Sequence, residues 1–283
     1  MKRILVIGHR GMLGHDLVSV LGKKFAVEEG LDQVDVCNAD SLRRCMNGHR
    51  PDVVVNAAAY TDVDGAESDS ERVFEVNALG AKNVALAAKE TGAKSVYYST
   101  DYVFNGAKDK PYVEEDEPNP LGVYSRSKWE GESAVLEVDP GVLVIRTAWL
   151  YGAGGKNFVN TMIKLSEEKD ELHVVNDQRG SPTWTVHLAQ ATINLVEANA
   201  RGLVHVTSSG DVTWCGFAKK IFEKLNRPVR VVPITTAEFG SVAPRPAYSV
   251  LDTSKYRRIT GETMPHWEEA LDAYLAERTA RPG

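Results

Sequence analysis

Tyr124 and Lys128 stand four residues apart in 124-YSRSKWEGE-132, just past the proline-broken run 111-PYVEEDEPNPLG-122. On a helix that spacing puts both side chains on one face. A tyrosine hydroxyl ordinarily keeps its proton to a pH of about 10, which makes it a poor acid–base group at neutrality. A lysine ammonium beside it favours the phenolate, each pKa unit being worth about 1.36 kcal/mol. The pair is therefore expected to act as a tuned proton donor. YxxxK also arises by chance as an exposed i,i+4 pair, so its weight depends on its surroundings. One such surrounding is 99-STDYVF-104, where Ser99, Thr100 and Asp101 end an apolar run and fall near the C-terminal edge of a strand.

A second chemical feature opens the chain. The run 3-RILVI-7 leads straight into 8-GHRGMLG-14, with glycines at 8, 11 and 14 ahead of a helical pattern. Glycine permits a sharp turn, close approach of backbone to a pyrophosphate and close packing of helix on strand. The helix N-terminus then offers N–H groups to phosphate oxygens. The spacing is GxxGxxG rather than GxGxxG, and a glycine triplet alone also marks a plain tight turn. Arg10 in this loop suits the extra phosphate of NADPH, whereas Glu28, Glu29, Asp32 and Asp35 suit the free ribose hydroxyl of NADH. The choice between NADPH and NADH stays open at this point, with Arg10 leaning to NADPH. Further on, 52-DVVVNA-57 ends in the small residues of 57-AAAYT-61, which fit close passage of a cofactor or plain tight packing.

These groups need a frame. Apolar runs at 3–7, 25–29, 52–57, 94–99 and 142–147 read as strands buried on both faces. Segments 12–22 and 73–90 carry apolar residues at helical spacing. The alternation predicts an α/β fold, a doubly wound, Rossmann-like parallel sheet with a smaller C-terminal α/β substrate lobe. Residues 1–147 are expected to form the dinucleotide-binding domain. Residues 148–283, with 203–206, 229–234 and a helix at 266–277, are expected to form the lobe plus segments returning to the first domain.

Composition narrows the class. The chain has 283 residues, 43% hydrophobic and 25% charged, as globular proteins do. Its net charge of −6 is spread without a basic run, which argues against nucleic acid. Cys37, Cys45 and Cys215 lack paired spacing, and this fits a reducing compartment. The apolar start stops at Gly8, too short for a signal peptide, and no run approaches a membrane span of about 18 residues. A cytoplasmic location is expected, with no membrane partner.

Taken with 8-GHRGMLG-14, 52-DVVVNAAAYTDVDGAE-67, 76-VNALGAKNVA-85, 98-YSTDYVFNG-106, 124-YSRSKWEGE-132, 146-RTAWLYG-152, 176-NDQRGSPT-183 and 245-RPAYSVLDTSK-255, the chain resembles the extended short-chain dehydrogenase/reductase family nearly end to end. Within it, the likeness is to reductases of dTDP-linked 4-keto-6-deoxy sugars. The resemblance implies NAD(P)H-dependent reduction of the substrate's C4 keto group, as from dTDP-4-dehydro-L-rhamnose to dTDP-L-rhamnose.

It implies that Tyr124 gives the proton, that Lys128 binds the nicotinamide ribose and tunes the phenol, and that Thr100 bonds the reacting oxygen. Asp101, Trp149 and Arg245 are implied substrate contacts. Gly11, Met12 and Leu13 are implied at the cofactor phosphates, joining Gly8, Arg10 and Gly14 expected there from the loop itself, with Asp35 and Val36 implied near its adenosine and Ala57, Ala58 and Tyr60 along its wall. Some relatives use magnesium at a subunit interface, but no carboxylate cluster marks a metal here and none is expected. The sequence leaves room for a homodimer. Two other readings remain open: a sugar-nucleotide epimerase or dehydratase holding NAD tightly, and a non-catalytic regulatory subunit like that of methionine adenosyltransferase.

Overall fold

Every residue of Val53–Asn56 is buried, and so is all but the first of Arg3–Ile7 and of Lys94–Thr100. Strands covered on both faces in this way need helices above and below them. The computed structural model, which describes residues 1–29 and 34–280, supplies that arrangement.

In chain order the first half runs β1 (Arg3–Ile7), α1 (Met12–Leu21), β2 (Ala26–Glu29), α2 (Ala39–His49), β3 (Val53–Asn56), α3 (Ser70–Phe74), α4 (Ala81–Glu90), β4 (Lys94–Thr100), α5 (Val123–Val138) and β5 (Leu143–Thr147). The second half runs β6 (Leu150–Tyr151), α6 (Phe158–Leu165), β7 (Glu171–Val175), β8 (Arg179–Gly180), β9 (Thr183–Trp184), α7 (Thr185–Glu197), β10 (Gly202–His205), β11 (Val212–Thr213), α8 (Trp214–Lys224), β12 (Arg230–Ile234), α9 (Thr236–Phe239), α10 (Ser254–Thr260) and α11 (Trp267–Ala280).

The main sheet has the order β10-β5-β4-β3-β1-β2, with every pairing parallel. From β1 the chain first goes outward to β2 and then returns to the other side as β3. The reversal leaves a crevice at the C-terminal ends of β1 and β3, where such sheets bind ligands. Alternate residues of β1 feed two cores. Ile4 and Val6 pack with Leu17, Val20 and Leu188, while Leu5 and Ile7 pack with Leu42, Val54 and Val84. A third cluster, which includes Tyr151, Met162, Phe217, Trp267 and Leu271, lies in the later segment.

Two expectations change in detail. The helix expected over 73–90 is interrupted by a π-helical stretch, Glu75–Gly80, between α3 and α4. There the buried Asn77 turns inward and bonds both the Tyr60 amide and the Ser127 hydroxyl, tying the loop after β3 to α5. The apolar run at 203–206 joins the main sheet as β10 beside β5. It is thus a segment that returns to the first domain.

Helix α5 is brought unusually close to this π stretch. A Cβ on Gly131 would stand 2.3 Å from the Asn77 carbonyl oxygen and 2.4 Å from the Tyr97 hydroxyl, so only glycine allows the approach.

Candidate active site

Three anchors set the position of α5. At its start, Glu67 accepts a hydrogen bond from the Val123 amide at 2.8 Å, placing a carboxylate at the helix N-terminus. One turn in, Lys128 Nζ donates to the Tyr98 carbonyl at 2.6 Å and lies 4.2 Å from the centre of the Tyr97 ring. One turn further, Glu132 accepts from Ser99 at 2.5 Å and from Arg146 Nε and Nη2 at 2.8 Å each. The helix is thereby pinned to β4 and β5, and Tyr124 is carried to the end of β4.

At that end the expected proton donor meets the expected hydroxyl. The Tyr124 side chain stands beside that of Thr100, and its ring packs edge-on to Tyr102 with centroids 6.4 Å apart. Thr100 Oγ1 also accepts from the Tyr102 amide at 3.2 Å and donates to Asp101 Oδ1 at 3.1 Å. Asp101 is 2% exposed and sits behind Thr100, with its Oδ2 buried and unpartnered.

The electrostatics correct one expectation. Lys128 does not hold the phenol acidic in this geometry. Burial first, and then the Asp101 charge, push Tyr124 up to about 12, with the Thr100 hydrogen bond pulling the other way. The reason is directional: the lysine head is spent on the Tyr98 carbonyl, not on the phenol. Burial likewise pushes Lys128 down to about 7, opposed by the Glu132 carboxylate. A phenol that keeps its proton is an acid in waiting, which suits donation to an oxygen that becomes strongly basic as charge develops on it.

The glycine loop separates into different roles. A Cβ at Gly8, whose φ is +79°, would stand 2.6 Å from the Ala58 amide nitrogen, and one at Gly14 would stand 2.0 Å from the Gly8 carbonyl oxygen. Those two glycines are required by packing within the chain. A Cβ at Gly11 would meet only the Gly8 carbonyl oxygen, at 3.4 Å. Gly11 also opens α1 with no side-chain cap. Its bare backbone at a helix N-terminus is therefore a cradle that fits a dinucleotide pyrophosphate.

Around that cradle lie the other expected cofactor residues. Leu13 is buried in the core, so only its backbone can face a ligand, and Met12 reaches the lobe, where Asn157 Nδ2 lies 3.6 Å from its sulfur. Arg10 is exposed in the loop. His9 approaches Glu29, the last residue of β2, at 3.8 Å. Asp35 accepts from the Cys37 amide at 2.9 Å, and Val36 packs under Gly80. Ala57 and Ala58 line the end of β3 opposite Gly8, whereas Tyr60 packs with Ala66, Val73 and Val123. Of the other acidic candidates, Glu28 lies 3.5 Å from His49, and Asp32 lies outside the described residues.

On the sugar side, Trp149 follows β5 with a φ of +47°, a backbone conformation uncommon for a large side chain. Its ring stacks on Trp214 at 3.4 Å and 4°, and its indole N–H is buried without a partner. Gly180 makes room, since a Cβ there would stand 2.5 Å from the Trp149 ring. The Arg245 guanidinium is taken up by Asp64, which it meets at 3.0 and 2.8 Å, and by the Ala243 carbonyl. That pairing holds Asp64 below the usual carboxylate range.

Asn77, Glu67, Glu132, Arg146 and Trp214 were not singled out from the sequence. Glu132 continues the i,i+4 row Tyr124, Lys128, Glu132, and this was the one available signal.

Comparison with known proteins places this geometry in a family. The family model described as the RmlD substrate binding domain matches residues 1–280. A spore coat polysaccharide biosynthesis protein of Bacillus subtilis, SpsK, is 41% identical over 284 residues, covering 99% of each chain. A dTDP-4-dehydrorhamnose reductase of Streptomyces griseus is 41% identical over 290 residues, covering 99% of this chain and 95% of the other. A solved dTDP-4-dehydrorhamnose reductase of Bacillus anthracis, in complex with NADP, superposes with a TM-score of 0.94 at 39% identity, covering 98% of this chain and 99% of the other. With matches of this extent on both sequence and fold, the chain belongs to the RmlD substrate binding domain family, alongside the dTDP-4-dehydrorhamnose reductases.

Proposed function

We propose that this protein is an NAD(P)H-dependent oxidoreductase that reduces the C4 keto group of a dTDP-linked 4-keto-6-deoxy sugar, in the manner of a dTDP-4-dehydrorhamnose reductase. The observation that carries the reading is the meeting of the Tyr124 and Thr100 side chains at the C-terminal end of β4, on the sheet edge that also bears the Gly11 cradle. The nicotinamide, when bound, supplies the hydride. The full-length match to a reductase solved with NADP favours NADPH, and the exposed Arg10 supports the same preference.

The chain's own residues do the rest. With substrate bound, the C4 oxygen accepts hydrogen bonds from Tyr124 and from Thr100, whose hydroxyl proton turns to it from Asp101. Such paired donors stabilise an oxygen as it gains charge, and a removed donor of this kind typically costs about 10²–10³ in rate. Tyr124 then gives its proton to that oxygen. Lys128, one turn along α5 from Tyr124, would hold the nicotinamide ribose, and its ammonium would add positive charge beside the reacting centre. Trp149, stacked on Trp214, forms an apolar wall for the sugar, and Asp101 sits behind the wall's polar end. Residues 1–147 with β10 make the dinucleotide half, and most of 148–283 the substrate lobe. The three free cysteines fit a reducing compartment such as the cytoplasm.

The test is NADPH oxidation with dTDP-4-dehydro-L-rhamnose generated in place. Stoichiometric loss of the reduced-nicotinamide absorbance is expected, and Tyr124→Phe should bind NADPH while turning over at most about 1% as fast. Turnover with no added cofactor would instead identify an epimerase or dehydratase. Failure to oxidise NADPH with any keto-sugar nucleotide would leave the regulatory reading.

A further inference from the structure

Along 176-NDQRGSPT-183, alternate residues meet the segment that carries Trp214. Asn176 Oδ1 accepts from the Thr213 hydroxyl at 2.8 Å, and Gln178 Oε1 accepts from the Trp214 indole N–H at 3.1 Å. Gly180 pairs with Val212 where β8 meets β11. Successive side chains of an extended chain point to opposite faces, so positions 176, 178 and 180 share one. The same run reaches Trp149. A Cβ on Gly180 would stand 2.7 Å from the Trp149 indole nitrogen, and the Thr183 amide donates to the Trp149 carbonyl at 3.2 Å. One short segment thus touches both indoles of the stack.

Trp149 needs such outside support. A bulky residue keeps a φ of +47° only where its surroundings impose it, and the buried indole N–H has no partner to fix the ring. What holds the ring is the face of Trp214, with centroids 3.4 Å apart and planes 4° from parallel. Trp214 is held in turn. It opens α8 behind Thr213, whose hydroxyl oxygen caps the Gly216 amide at 3.0 Å, and Phe158 packs against it with centroids 4.5 Å apart. Gln178, only 3% exposed, grips its indole N–H. The amide cannot turn round. Thr236 gives its hydroxyl proton to Asp177 at 2.6 Å, so its oxygen is left to accept from Gln178 Nε2 at 2.9 Å, and Gln178 Oε1 must face the indole.

We propose that Gln178 is a positioning residue for sugar-nucleotide recognition: through Trp214 it sets the plane of Trp149, the wall against which the substrate lies. The inference rests on the reductase reading and adds a residue to it. Gln178 acts only by way of the Trp214 indole N–H, so its influence falls on substrate affinity. The cofactor cradle at Gly11 belongs to the main sheet and is built without this line of contacts.

The experiment compares two variants of the full-length protein. Gln178→Met keeps the length of the side chain and loses its hydrogen bonds, while Trp214→Phe keeps a stacking ring and loses the N–H. The readouts are KM for dTDP-4-dehydro-L-rhamnose generated in place, NADPH affinity by calorimetric titration, and the exciton signal of stacked indoles in circular dichroism. In Gln178→Met the exciton signal should weaken and KM should rise about three- to tenfold, the worth of one hydrogen bond. NADPH affinity should stay within about twofold, as for a site that shares no partners with the change. Trp214→Phe should raise KM to a similar extent, and combining the two should add less than about twofold, because both remove the same contact. A wild-type exciton signal and KM in Gln178→Met overturn the proposal. So does an equal fall in NADPH affinity, or a double variant in which the two effects multiply. If Gln178→Met does not fold, Trp214→Phe decides, and a wild-type KM there overturns it. A wild-type protein that oxidises no NADPH with the keto-sugar nucleotide removes the reductase reading itself, and the exciton signal of Gln178→Met then decides whether Gln178 sets the stack.

Discussion

Glu132 holds Arg146 through two hydrogen bonds of 2.8 Å one helical turn beyond Lys128, with both side chains at most 4% exposed. This pair fastens α5 to β5, and Ser99 fastens the same carboxylate to β4. The spacing between Tyr124 and Thr100 is therefore set from below, by groups that touch no substrate.

Glu132→Gln should leave Arg146 as a buried charge without its counter-ion. Breaking one side of such a pair typically costs about 3–5 kcal/mol. Urea unfolding should report a loss of that order, together with weaker NADPH binding as Lys128 loses the carboxylate that supports its charge. A loss under about 1 kcal/mol would mean that the pair is not a structural pin.

His205 should make the protein acid-sensitive. Burial first, and the Arg146 charge second, press its pKa down to about 3, so it is neutral in the fold. The unfolded chain titrates it near about 6.5, so between these values the unfolded state binds more protons. Its contribution is therefore fully present above about 6.5 and is lost as pH falls toward 3, by at most on the order of 4–5 kcal/mol. His205→Gln should flatten the fall in unfolding free energy across that window, and an unchanged slope would contradict the assignment.

Gly11→Ala and Gly14→Ala should behave oppositely. At Gly14 the new methyl would stand 2.0 Å from a backbone oxygen, so thermal unfolding should show a loss of about 1–3 kcal/mol or more. At Gly11 it would meet ordinary contact, so Gly11→Ala should fold normally and bind NADPH about tenfold or more weakly, if the cradle holds the pyrophosphate. Calorimetric titration with NADPH separates the two.

Gly180→Ala should act on substrate rather than on cofactor. The added methyl would strike the Trp149 ring and disturb its stack on Trp214. We expect KM for the sugar nucleotide to rise by about tenfold, corresponding to about 1.4 kcal/mol, with NADPH affinity unchanged. Equal weakening of both would indicate a general loss of packing.

Much of this architecture was legible in local patterns. Buried strands such as Val53–Asn56 announce themselves as continuous apolar runs, and Gly8–Gly14 marks its turn by the only residue type that such packing admits. The π stretch at Glu75–Gly80 was not legible, because its apolar spacing still reads as a plain helix and the inward turn of Asn77 depends on partners at Tyr60 and Ser127. Trp214 was passed over because its partner, Trp149, is 65 residues away and meets it only in the folded lobe.

The sequence by itself determined which chemical groups exist, which strand ends bear them, and that Tyr124 and Lys128 share a helical face. These follow from local period and residue type. Tertiary structure alone decided where the charges point. It turned the Lys128 ammonium to the Tyr98 carbonyl, put Asp101 behind Thr100, set Glu132 against Arg146 and gave Arg245 to Asp64. Burial and partner geometry govern ionisable groups, and both are properties of segments that meet only after the chain has folded.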